Sequence, residues 1–216
     1  MFKNLLYKEF KLSLHPTSLI FFALSAMLLI PNYPYYVVFF YACLGVFFMC
    51  LQGRENHDIF YSLLLPIEKK DIVKARISAV VLVELAQMIF AIPFMLIRGL
   101  FPIPGNRVGM DANWSLLGLS FIMLGLFNLI YFTYYYKHPQ KVGTAFAWGS
   151  LGITLFMIVA ESTAHAVPFV VNVLDGPNAE HTAVKLITLV VGLFVFSAMT
   201  YLAYKKSARS FETLDL

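Results

Sequence analysis

Long apolar runs separated by short polar stretches set the pattern of this chain. A run of about 20 apolar residues covers ~30 Å at about 1.5 Å of helical rise per residue, the thickness of a bilayer's hydrocarbon core. Six such runs are predicted as helices: Leu12 to Ile30, Tyr35 to Leu51, Ile77 to Ile97, Trp114 to Tyr136, Val142 to Ala160 and Leu186 to Tyr204. The first must include His15 and Pro16 to reach full length. Pro31-Asn32-Tyr33-Pro34 separates it from the second, because two prolines so placed do not continue a helix. The stretch Ala166 to Leu174 is apolar but too short to cross, and it predicts an interfacial or re-entrant helix within an external segment, residues 161–183.

Composition agrees with that pattern. The 216 residues are 60% hydrophobic and 13% charged, against about 45–50% and about 25% in ordinary soluble domains. A domain of this size cannot bury so much apolar surface internally, so the surplus faces lipid and a soluble enzyme is excluded. The net charge of +4 is informative mainly through its placement. Lys3, Lys8, Lys11, Arg54, Lys69, Lys70, Lys74, Arg76, Lys137, Lys141, Lys205, Lys206 and Arg209 fall on one side of the six-span arrangement, and Arg98, Arg107 and Lys185 on the other. This segregation predicts cytoplasmic termini in a multi-pass membrane protein, and the apolar runs that recur to the C-terminus predict a retained N-terminus rather than a cleaved signal. Trp114, Tyr33, Tyr35, Tyr36 and Tyr134 to Tyr136 lie near span ends, as an aromatic belt would. Cys43 and Cys50 sit seven residues apart in one run, too far along a helix to bridge, and predict buried apolar side chains.

Two polar segments carry further structure. At the N-terminus Phe2, Leu5, Leu6 and Phe10 share one side of a helix, with Asn4, Lys8 and Lys11 opposite and Lys3 and Glu9 out of pattern, which suits a helix lying in the membrane interface. Between spans two and three, Gln52 to Arg76 is too long for a minimal turn. A short helix from Asp58 places Ile59, Phe60, Leu63 and Leu64 together, Pro66 ends it, and Asp71 caps the helix of the third span. The product is an apolar knob with charged flanks, Glu55 and Asp58 among them, suited to docking in a cleft on a cytoplasmic partner.

The acidic cluster, the helix Ile-Phe-Tyr-Ser-Leu-Leu-Leu-Pro and the following Ile-Glu-Lys-Lys-Asp-Ile-Val-Lys-Ala-Arg together resemble the cytoplasmic loop of type 2 ABC exporter permeases. In size the chain resembles the small permeases of bacterial peptide and antibiotic exporters, including those for phenol-soluble modulins. The resemblance implies an all-α integral membrane protein of six transmembrane helices forming one permease domain, residues 1–216. It further implies an N-terminal elbow helix over residues 1–14 and a coupling helix within 55–71, with Glu55, Asp58, Ile59, Phe60, Leu63, Leu64 and Pro66 meeting the ATPase. A homodimer or heterodimer of permeases is implied, because six spans are half the usual complement. The chain holds no Gly-x-x-x-x-Gly-Lys-Ser/Thr loop, so ATP and magnesium are expected in a separate ATPase subunit, with no cofactor here. The implied cargo is an amphipathic peptide, an antibiotic or a lipid-like molecule, for which Tyr36, Phe39, Phe40, Phe47 and Phe48 offer apolar surface.

Inside the spans, Glu84 is the most costly residue, on the order of 2–3 kcal/mol near a bilayer centre, and must face the bundle or a cavity. Contact with substrate, proton transfer, or a structural carboxylate beside Gln87 all fit it. Asn128 fits interhelical hydrogen bonding, or a place with Glu84 and Gln87 on the transport pathway. Ala145 and Gly149 form a small-x-x-x-small pair that suits close helix approach, within the subunit or between subunits. Glu161, His165 and His181 lack metal-ligand spacing. Neither Gly-x-Ser-x-Gly nor His-Glu-x-x-His occurs, which argues against an enzyme. Two competing readings are an ion-coupled secondary carrier working through Glu84, disfavoured by the absence of an inverted repeat, and a non-transporting accessory membrane protein.

Overall fold

A computed structural model describes residues 2–101 and 103–214. Eight α-helices account for most of the chain and no strand occurs among the described residues. They are α1 (Phe2–Lys8), α2 (Thr17–Ala23), α3 (Tyr36–Glu55), α4 (Asp58–Leu63), α5 (Lys69–Leu100), α6 (Trp114–Tyr135), α7 (Val142–Ala166) and α8 (Thr182–Glu212). Helices α3, α5, α6, α7 and α8 are each long and apolar enough to cross a membrane.

The first predicted span takes a different form. Helix α1 continues through a wider turn to Ser13, and Thr17–Leu29 leaves it at 85°. The corner is built by His15, whose Nδ1 accepts from the Thr17 amide at 3.3 Å. Pro16 then starts the new helix at φ −56°. The last six residues, Leu24–Leu29, tighten into a 3-10 helix, so the whole segment reaches only ~22 Å at the usual rises per residue. The span predicted from Leu12 therefore begins at Thr17 and is shortened, with Leu12 and Ser13 belonging to the N-terminal arm. Met1, the start of the expected elbow, lies outside the described residues.

Other boundaries shift for local reasons. Helix α5 starts at Lys69 with Glu68 in the extended cap position, and Asp71 stands in its first turn rather than capping it. Helix α7 runs on to Ala166 and absorbs Glu161 and His165, which leaves only a short helical stretch, Val170–Leu174 with the two residues before it, for the predicted external helix. Asn113 caps α6 by accepting from the Leu116 amide at 3.0 Å.

Packing is closest between α6 and α8. A Cβ on Gly192 would lie 2.0 Å from the Gly118 carbonyl oxygen, and one on Gly125 would lie 2.9 Å from Phe196 Cα. Only glycine permits that approach of backbones. The predicted pair Ala145 and Gly149 instead faces α6 within the subunit, where a Cβ on Gly149 would meet the Phe127 ring at 2.8 Å. Tyr35, Tyr36, Tyr135 and Tyr136 are buried in the protein, not set in an aromatic belt, and Phe39 is core, so neither Tyr36 nor Phe39 offers surface to cargo.

One end of the bundle is basic and carries α1, α4 and the chain's C-terminal turn, which Lys69 holds through the Leu214 carbonyl at 2.6 Å. At the opposite end a lattice of hydrogen bonds fastens the loops. Asn106 donates to Tyr33 O at 2.8 Å, Met110 N to Glu161 Oε2 at 2.9 Å, and Trp114 N to Asn178 Oδ1 at 3.0 Å. Arg98 anchors that lattice, donating to Asp111 Oδ1 at 2.8 Å and to Pro104 O at 2.7 Å.

Candidate functional site

Helix α4 sits at the basic end between α3 and α5, and it opens with His57 in the left-handed region at φ 50°. Six residues make fewer than two turns, too few for a helix to persist on propensity alone. Tertiary contacts hold it. Ile59 and Leu63 pack on the hydrophobic core, while Asp58 and Ser62, four apart and so on one face, are buried.

Asp58 is the hub of an ionic cluster. Its carboxylate accepts from Lys8 Nζ at 2.5 Å and pairs with the Arg76 guanidinium. Arg76 also pairs with Glu9, donates to Ser13 Oγ at 3.3 Å and to Met49 O at 3.5 Å. Lys8 reaches Ser62 Oγ at 2.9 Å and Glu9 at 3.2 Å. Two cations and two carboxylates thus join α1 and its continuation, α4 and α5. Three of the four are almost fully buried: Glu9 at 0% exposure, Arg76 at 2% and Asp58 at 7%. Gly53 makes room for this arrangement, since a Cβ there would lie 2.8 Å from Arg76 Nη1.

The opposite edge of α4 is bare and apolar. Phe60, Tyr61, Leu64 and Leu65 are 58%, 62%, 69% and 51% exposed. The sequence-predicted face of Ile59, Phe60, Leu63 and Leu64 therefore divides: Ile59 and Leu63 point inward, and Tyr61 and Leu65 join Phe60 and Leu64 outside. Asp58 is locked in the cluster and is no charged flank. Glu55 is exposed and pairs with Arg54 at 2.6 Å, and Pro66 is exposed just past the helix. A cleft of about 200 Å³ lies beside the helix, lined by residues that include His57, Phe60, Pro139 and Gln140.

Helix α5 carries polar groups inward along its length. Arg76, Glu84 and Gln87 fall on one face by their spacing of eight and three, and each is buried. Glu84 Oε2 accepts from Asn128 Nδ2 at 2.8 Å, and the same amide reaches Thr200 Oγ1 at 3.3 Å, so α5, α6 and α8 meet at one point. Gln87 does not partner Glu84; it donates to Ser25 Oγ at 2.9 Å and ties α5 to the shortened first span.

Glu9 is a member of this cluster to which the sequence pattern assigns no role. On a helical wheel it is an irregularity on an amphipathic face, and nothing local announces its partner 67 positions away. Its one sequence signal was that very break in pattern, an acid among apolar positions in a basic segment.

The sequence signature described as ABC-2 family transporter protein matches residues 4–212. No curated protein and no solved structure shows a significant match. Membership implies a membrane setting and an ATPase partner. With nearly the whole chain inside the matched region, and five long apolar helices plus a bent sixth segment in the fold, this chain belongs to the ABC-2 family of transporter proteins as a permease.

Proposed function

We propose that the chain is the transmembrane subunit of an ATP-binding-cassette exporter that pairs with a second permease, identical or related, and is driven by a separate cytoplasmic ATPase docking on α4. The observation that carries this reading is the two-sided character of α4, an exposed apolar ridge on one edge and a buried ionic lock on the other. Four large apolar side chains on α4 and the two residues after it present the surface that a groove on a partner would bury. On that reading both termini are cytoplasmic and the membrane is a bacterial cell membrane.

Motion follows the contacts. Nucleotide-driven closure of the ATPase displaces the ridge, and Asp58 conveys the displacement to Arg76 in the second turn of α5. Glu9 and Lys8 bring the N-terminal helix along. Helix α5 then shifts relative to α2, α6 and α8 through Gln87 and Glu84, and the spans alternate between two packings around cargo. ATP and magnesium reside in the partner, and this chain performs no chemistry on them. The cargo is an amphipathic peptide, an antibiotic or a lipid-like molecule; exposed Leu19, Ile20, Ile89 and Phe90 on α2 and α5 supply an apolar wall, braced by Phe22 stacked on Phe90 at 5.4 Å. Glu84, hydrogen-bonded to a neutral amide at the meeting of three helices, serves here as a structural carboxylate rather than an ion-coupling site.

The test replaces Phe60 and Leu64 with Asp. Both are exposed, so the variant should insert and melt as the native protein does while recovering at least about tenfold less ATPase subunit on co-purification, as expected when apolar anchors are lost from an interface. Undiminished co-purification sinks the docking assignment.

A further inference from the structure

A groove of about 540 Å³ runs between α6, α7 and α8 at the basic end, on the flank of the bundle and away from α4. Lys137 and Lys206 line it, and both are exposed. Thr133 and Tyr134 follow one turn deeper, and Ile130 lies seven residues from Lys137, about 10 Å along α6. Trp148 of α7 closes the apolar end and is 53% exposed. The lining therefore passes from cationic through hydroxyl-bearing to apolar with depth, the order of headgroup, ester region and acyl chain in a phospholipid.

We infer that this groove binds an anionic phospholipid, its headgroup phosphate between Lys137 and Lys206 and the upper acyl chain against Ile130 and Trp148. Charge complementarity selects this occupant. No carboxylate lines the groove, and among the described residues neither lysine forms an ion pair. A second copy of the chain docking symmetrically here would bring its own two lysines against these two, an arrangement disfavoured by like charge. The site is independent of the ATPase reading, since none of its residues belongs to α4 or the ionic cluster.

Trp148 provides the probe. In full-length protein carrying Trp114→Phe, reconstituted in phosphatidylcholine vesicles, brominated phosphatidylglycerol should quench Trp148 at lower mole fraction than brominated phosphatidylcholine. Two lysines at ~1 kcal/mol each correspond to about a 30-fold preference for the anionic lipid. Lys137→Gln with Lys206→Gln should reduce that preference below about threefold. With Trp148→Phe, the remaining Trp114 at the opposite end should show no preference. If Trp114→Phe does not fold, the difference between the native protein and Trp148→Phe gives the same signal. Equal quenching by the two lipids with both lysines present overturns the assignment, and so does a preference that survives their removal.

Discussion

Arg76 is a guanidinium held inside the bundle by carboxylates from two different elements, Glu9 and Asp58. Desolvation of such groups offsets much of their attraction, so the cluster adds little net stability as a unit. Removing one member is another matter, because it strands a buried charge. Arg76→Ala should cost about 3–5 kcal/mol, visible as a lowered melting temperature in detergent, whereas Glu55→Ala, at an exposed pair, should change stability by under about 1 kcal/mol. Asn128 poses a smaller version of the same problem. Asn128→Leu leaves Glu84 without its donor and should cost about 1–3 kcal/mol, while Glu84→Gln should retain ATP-driven export. Loss of export in Glu84→Gln, at unchanged stability, would instead favour a proton-coupled role for that carboxylate.

Pairs of helices are set by which side chains allow backbones to meet. The α6 and α8 interface rests on Gly118, Gly125 and Gly192, and Gly192→Val should separate the two helices. The measurement is resistance of the folded protein to denaturing detergent; an unaltered unfolding midpoint would show that the helices can part without loss. From the sequence the small pair Ala145 and Gly149 stood out because it follows a four-residue spacing within one helix. Gly118 and Gly125 share one face of α6 at a spacing of seven, but Gly192, which meets Gly118, lies on α8, and no single-helix spacing relates it to them. Likewise α4 was legible as a short amphipathic element from Asp58 to Pro66, but which of its sides faces outward depended on the buried partners of Asp58 and Ser62.

Across the whole molecule, charge divides the two ends, and the proposed topology makes a definite prediction. Cys43 and Cys50 are both buried and leave a quiet background for thiol labelling. Single cysteines at Glu55 and Gln140 should react with an impermeant reagent only from the cytoplasm, and those at Arg107 and Glu180 only from outside, all four native positions being exposed. Labelling of Glu55 and Arg107 sites from the same side would disprove the orientation. The chain's own pattern was enough to declare a helical membrane protein, to find its long spans with ends displaced by up to eight residues and to point at the loop between the second and third. Apolar periodicity and length are local quantities, and lipid enforces them at every position independently. The right-angled first span, the union of Glu9 with Arg76, the orientation of α4 and the glycine seam came from folding, because each depends on residues far apart in the chain meeting at a distance that no local pattern encodes.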